Sequence, residues 1–124
     1  MSAYLMVALG GAIGAMGRFS VSKYFAQFNQ GAFPLATFTV NVIGCFVMGV
    51  LFVLMTERIT ALEAYRPLLM VGFLGAFTTF STFSLEIVAL LNQQAWLSAV
   101  SYLLLSCFCG VIGTWLGILA ARLI

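Results

Sequence analysis

From Gly72 to Ser84 the chain reads Gly-Phe-Leu-Gly-Ala-Phe-Thr-Thr-Phe-Ser-Thr-Phe-Ser, and from Thr78 onward five of seven residues are hydroxylic and the other two are phenylalanine. The run sits inside an otherwise apolar stretch, where each hydroxyl must find a partner or a water-filled cavity. Glycine and β-branched threonine weaken a continuous helix, and hydroxyls compete for its backbone groups. A local break at Gly75 to Thr79 is therefore expected, and the carbonyls freed there suit a small hard cation. Past the break, helical spacing puts Phe80 and Phe83 about 60° apart on one face. Thr79, Thr82 and Glu86 gather on an adjacent face, with Ser81 elsewhere. A phenylalanine pair is commonly a packing feature, but the positive edge of the ring also receives an anion lying in the ring plane. Glu86, nearer the membrane surface, is read as hydrated or bonded to Thr82.

Three further groups would be costly in lipid and so carry information. Asn41, one turn after Thr37, brings an amide with two N–H donors into an apolar segment, either to bond another helix or to meet an anion. Tyr102, Ser106, Gly110 and Thr114 recur at intervals of four, with Gly113 and Gly117 beside them, a stripe that either bonds the preceding helix or lines a narrow path. Gly10, Gly11, Gly14 and Gly17 are spaced so that most share a face, which lets helix backbones approach closely. Arg18 follows directly, positioned to snorkel to the headgroups or to raise the potential at a pore mouth. Cys45, Cys107 and Cys109 all fall in apolar segments and read as packing residues. Histidine is absent, which excludes a histidine-based metal centre or proton relay.

The elements that position these groups follow from composition. Of 124 residues 64% are hydrophobic and 6% charged, so a chain this short cannot hide its apolar surface from water, and lipid must solvate it. Four stretches are long enough to span a bilayer, at about 20 residues of helix each: Tyr4 to Ser22, Leu35 to Met55, Pro67 to Leu91 and Ala95 to Ala121. The fold class is thus an all-α integral membrane protein, one domain over residues 1–124, with its third helix broken near the middle. The first stretch is read as a retained helix, since no basic residue precedes it. Lys23 to Pro34 and Thr56 to Arg66 form connections. Asn92 to Gln94 is so short that helices three and four form an antiparallel hairpin. Arg58, Arg66 and Arg122 then lie on one side of the membrane against Arg18 and Lys23 on the other, a weak bias that permits insertion in both directions.

With these residues read, the chain resembles the small bacterial fluoride channels known as the Fluc or CrcB family. The likeness covers the whole length: four spans, the glycine-rich first helix ending in Gly17-Arg18, the segment Thr39-Val40-Asn41-Val42-Ile43-Gly44, and the Thr78-Thr79-Phe80-Ser81-Thr82-Phe83 core. The resemblance implies an antiparallel, dual-topology homodimer in the bacterial plasma (inner) membrane, with lipid and a second copy of itself as partners. It implies two fluoride pathways and a structural sodium ion at the dimer centre. Gly75 and Thr78 would give backbone carbonyls to that sodium. Phe80, Phe83 and Asn41 would line each fluoride pathway, and Ser81, Thr82 and Thr114 would continue it as a hydroxyl track, with Tyr102 and Glu86 nearby. Such donors replace the water of a small hydrated anion without binding it so tightly that conduction stops.

The competing class is a proton-coupled exporter of the small multidrug transporter type, also four helices in a dual-topology dimer. That chemistry needs a carboxylate within the membrane, and its first-helix position is filled here by no acid. An assembly subunit would explain the glycine faces but not the hydroxyl and phenylalanine run. No enzyme is expected, since there is no metal-ligand spacing and no phosphate-binding loop, and no nucleic acid is expected as a partner.

Overall fold

The structure, a computed structural model, describes residues 1–29 and 31–124; Gln30, in the Lys23 to Pro34 connection, lies outside them. All regular structure among the described residues is helical. Helix α1 runs Ala3–Ala26, α2 Leu35–Val53, α3 Gly75–Phe77, α4 Phe80–Asn92 and α5 Trp96–Leu123. A π-helical turn, Leu54–Arg58, extends α2, a 3₁₀ segment follows at Thr60–Tyr65, and a π-helical segment, Pro67–Leu74, leads into α3. The Thr56 to Arg66 connection is therefore largely wound rather than a loop. Taken together the windings give four stretches long and apolar enough to cross a membrane: Ala3–Ala26, Leu35–Arg58, Pro67–Asn92 and Trp96–Leu123.

Between 11% and 28% of the most apolar window of each stretch is buried within one chain. The remaining apolar side chains are half-buried or exposed in one chain, an arrangement that suits solvation by lipid rather than by water. What does pack inside packs through glycine. A Cβ added to Gly10 would overlap the Leu68 carbonyl, and one on Gly72 would come within 2.7 Å of Val7 O, so α1 and the Pro67–Leu74 segment touch backbone to backbone. Gly14 meets the Phe73 carbonyl in the same way, and Gly17 faces the Phe77 ring. The α1 glycines thus form the close-packing face that their spacing predicts. A second seam joins α2 to α5, with Gly49 against the Thr114 carbonyl and Gly117 against the Phe46 carbonyl.

Helices α4 and α5 form a hairpin. Gln94 turns the chain with φ 58°, while Ala95 N donates to Leu90 O at 2.9 Å and Gln94 N to Leu91 O at 3.0 Å. This pair of bonds is a Schellman motif, which satisfies the last carbonyls of α4 and stops it abruptly. Phe83, Leu90, Ala99 and Tyr102 make a small core between the two helices, with Phe33, Phe38 and Ile87 packed on it. At the far end of α5, Arg122 bridges Glu57 at 2.6 Å and the Arg58 guanidinium donates to the Arg122 carbonyl, fastening α5 to the extension of α2.

Candidate ion pathway

Between α3 and α4 two residues leave helical geometry: Thr78 has φ −84° and ψ 161°, and Thr79 has φ −154° and ψ 122°. Two side chains support them. Asn41, on α2, accepts from Thr79 N at 2.8 Å through Oδ1 and donates from Nδ2 to Thr79 O at 3.0 Å, a two-point clamp on an extended residue. The Thr79 hydroxyl caps α4 by accepting from Thr82 N at 3.2 Å. Thr78 turns its own hydroxyl back to Leu74 O at 2.8 Å, and its methyl fills the space where Gly44 has no side chain.

These bonds change the accounting of the backbone carbonyls. In a continuous helix Thr79 N would serve Gly75 O and Thr82 N would serve Thr78 O. Here one donates to Asn41 and the other to Thr79 Oγ1, and among the described residues no other N–H reaches either carbonyl. Phe77 O is likewise without a partner, whereas Ala76 O accepts from Arg18 Nε at 3.0 Å. Arg18, half-buried at the end of the glycine face of α1, is thus tied to the third span by this bond. Among the described residues no group of three or more His, Cys, Asp or Glu side chains is placed to hold a metal ion.

Beside the interruption lies an open-sided cavity of about 310 Å³. Asn41, Thr78, Thr79, Phe80 and Phe83 line it on one side, and Ser106, Gly110 and Thr114 of α5 on the other. The Ser106, Gly110 and Thr114 part of the α5 stripe thus faces the interruption. Thr114 donates to Gly110 O at 3.1 Å, which leaves its oxygen lone pairs free, and Ser106 Oγ is buried with no partner among the described residues. Asn41 keeps a second N–H that no described residue accepts. No charged side chain lines the cavity. The two rings differ sharply in setting: Phe83 is 6% exposed and packs edge-on to Tyr102 at 5.0 Å, whereas Phe80 is 79% exposed. Their centroids are 5.7 Å apart and tilted by 46°.

The remaining candidates lie outside this cavity. Ser81 is exposed and near the Thr79 hydroxyl, 3.4 Å away, and Thr82 Oγ1 accepts from that same hydroxyl at 3.0 Å. Glu86, half-buried, bonds to residues other than Thr82. Its two carboxylate oxygens accept from Thr37 Oγ1 and from the Tyr102 hydroxyl, both at 2.8 Å. Thr82 is already taken by Thr79, and α2 and α5 bring two buried hydroxyls to Glu86 instead; Tyr102 is 0% exposed and Thr37 5%. The partnership of Asn41 with Thr79 spans 38 positions and that of Thr37 with Glu86 spans 49, so no local pattern announces either.

Residues 5–118 match the family described as CrcB-like protein, Camphor Resistance (CrcB). The chain is similar to the fluoride-specific ion channel FluC of Magnetococcus marinus, 48% identical over 118 residues, 95% of this chain and 96% of that protein. It is similar also to FluC of Saccharophagus degradans, 50% identical over 99 residues, 80% and 74% of the two chains, and to FluC of Chloroflexus aurantiacus, 41% identical over 118 residues, 95% and 94% of the two.

Proposed function

The chain belongs to the CrcB family, and from that premise we propose that it is a fluoride-selective ion channel, a multi-pass protein of the bacterial plasma membrane that lets cytoplasmic fluoride leave passively and so limits its toxicity. The observation that carries this reading is the cavity beside the third span. An amide, threonine and serine hydroxyls and two phenylalanine rings surround it without a charged side chain. A small anion there exchanges hydration for the Asn41 N–H, the Ser106 hydroxyl and the ring edges of Phe80 and Phe83. None of these donors holds a full positive charge, so the ion is not trapped. Moving an ion in this way makes and breaks no covalent bond, and the chain acts as no enzyme.

The working unit in this reading is an antiparallel homodimer. Its support is the near balance of Lys and Arg across the membrane, the small share of each span buried within one chain, and the exposure of Phe80 beside a cavity open on one side. The third span is read as a discontinuous helix, supported by the extended backbone of Thr78 and Thr79. Sodium is read as the resident cation, held by the carbonyls of Gly75 and Thr78 from both copies, which neither helix segment engages. When bound, it would neutralise the converging carbonyl dipoles and tie the two copies together. Ser81 and Thr82 extend the hydroxyl surface beyond the cavity of one chain. Glu86 holds Tyr102 and Thr37 in place, and its bonds to two hydroxyls away from the cavity suit proton-coupled exchange poorly.

Purified protein in liposomes loaded with potassium fluoride tests the reading. Valinomycin sets a potassium diffusion potential with no imposed proton gradient, and a fluoride electrode records efflux. Efflux under these conditions is the expected result. Movement that appears only with an imposed proton gradient would place the chain among exporters, and no movement would refute both.

A further inference from the structure

An interrupted helix frees carbonyls only if the amides that would have paired with them are held elsewhere, because an N–H left without a partner in the membrane drives the segment back into a helix. Two amides matter here. Thr79 N, the natural partner of Gly75 O, is held by Asn41 Oδ1 at 2.8 Å. Thr82 N, the natural partner of Thr78 O, is held by Thr79 Oγ1 at 3.2 Å. We infer that Asn41 and Thr79 are the positioning residues of the cation site: each withdraws one amide, and each withdrawal exposes one of the two carbonyls, Gly75 and Thr78.

The inference rests on the sodium reading above and deepens it. It assigns to Asn41 a task on its carbonyl side that is separate from any task of its N–H groups in the cavity, since Oδ1 faces Thr79 N while Nδ2 serves Thr79 O and keeps one N–H unengaged. It assigns to Thr79 a task for its oxygen alone. The same oxygen donates its proton to Thr82 Oγ1 at 3.0 Å, which fixes the hydroxyl so that a lone pair points to Thr82 N. Substitutions that keep shape separate this task from packing, and the sodium response separates it from the capping of α4.

The test is the sodium-dependent thermal protection of the purified full-length protein in detergent, titrated with sodium chloride against choline chloride at constant ionic strength. A ligand bound by the folded form raises the melting midpoint as its concentration passes its dissociation constant. Thr79→Val keeps volume and β-branching but has no acceptor for Thr82 N, and Asn41→Leu has no acceptor for Thr79 N. Each should raise the sodium concentration needed for half-maximal protection at least about tenfold, equivalent to about 1.4 kcal/mol. Thr79→Ser keeps the acceptor and should stay within about threefold of the parent. If either Thr79→Val or Asn41→Leu folds and keeps the parent's sodium response, that residue does not expose its carbonyl and the inference is overturned. If the parent itself shows no sodium-specific protection, the sodium reading fails, and the inference fails with it.

Discussion

Replacing Asn41 by aspartate should leave a folded protein that scarcely conducts. The substitution keeps the oxygen that accepts from Thr79 N at 2.8 Å but puts a second oxygen where Nδ2 donates to Thr79 O at 3.0 Å. Losing that bond costs about 1–3 kcal/mol of stability, the range for a polar group left unpaired. The effect on an anion is larger. A sphere of the cavity's volume, about 310 Å³, has a radius of about 4 Å, so an ion near its centre lies about that far from the new carboxylate. Two like charges at about 4 Å repel by about 4 kcal/mol at an effective dielectric of about 20. At about 1.4 kcal/mol per factor of ten, fluoride occupancy should fall by about a thousandfold. Efflux from liposomes gives the rate, and size-exclusion chromatography with light scattering compares the particle with the parent's. A variant that matches the parent particle and carries fluoride within about threefold of the parent rate would refute the placement of the ion path beside Asn41.

Four other outcomes are expected. Phe80→Ile should leave the melting temperature nearly unchanged, because the ring is 79% exposed in one chain, while Phe83→Ile, in the α4–α5 core, should cost up to about 1.5 kcal/mol. Both should lower fluoride efflux at least about tenfold through loss of the ring edge, and parent rates in both would mean the rings only pack. Tyr102→Phe leaves one oxygen of Glu86 without its 2.8 Å donor and should lower stability by about 1–3 kcal/mol, read as the midpoint of a thermal melt; an unchanged midpoint would show that water replaces the phenol. Gly14→Val forces a side chain into the Phe73 carbonyl and should cost about 1–3 kcal/mol or more by separating α1 from the Pro67–Leu74 segment, and a melt matching the parent would contradict the backbone-to-backbone contact. A cysteine tag at one terminus should label from both faces of the membrane in intact cells, and labelling from one face alone would rule out dual insertion.

The sequence by itself determined the class of protein and the places where chemistry is possible. Hydrophobicity is summed over about 20 residues and needs no knowledge of neighbours, so the four spans and the short α4–α5 connection are legible directly. The glycines of α1 were legible for the same reason, since helical periodicity alone aligns them. The hydroxyl run flagged the third span, because such residues weaken a helix through their own local bonds. Tertiary structure decided what each flagged group does. Asn41 reads equally as an anion donor or an interhelical tie until α2 is placed against Thr79, where it makes the tie with both ends of its amide and keeps one N–H over. Glu86 looks like a surface carboxylate until α2 and α5 bring Thr37 and Tyr102 to it. Arg18 reads as a headgroup or pore-mouth charge from its position alone, and packing through Gly14 and Gly17 adds its bond to Ala76 O. Periodicity is a property of neighbouring residues, whereas a hydrogen bond between residues 38 or 49 positions apart is set by how whole helices cross, and only the folded chain fixes those crossings.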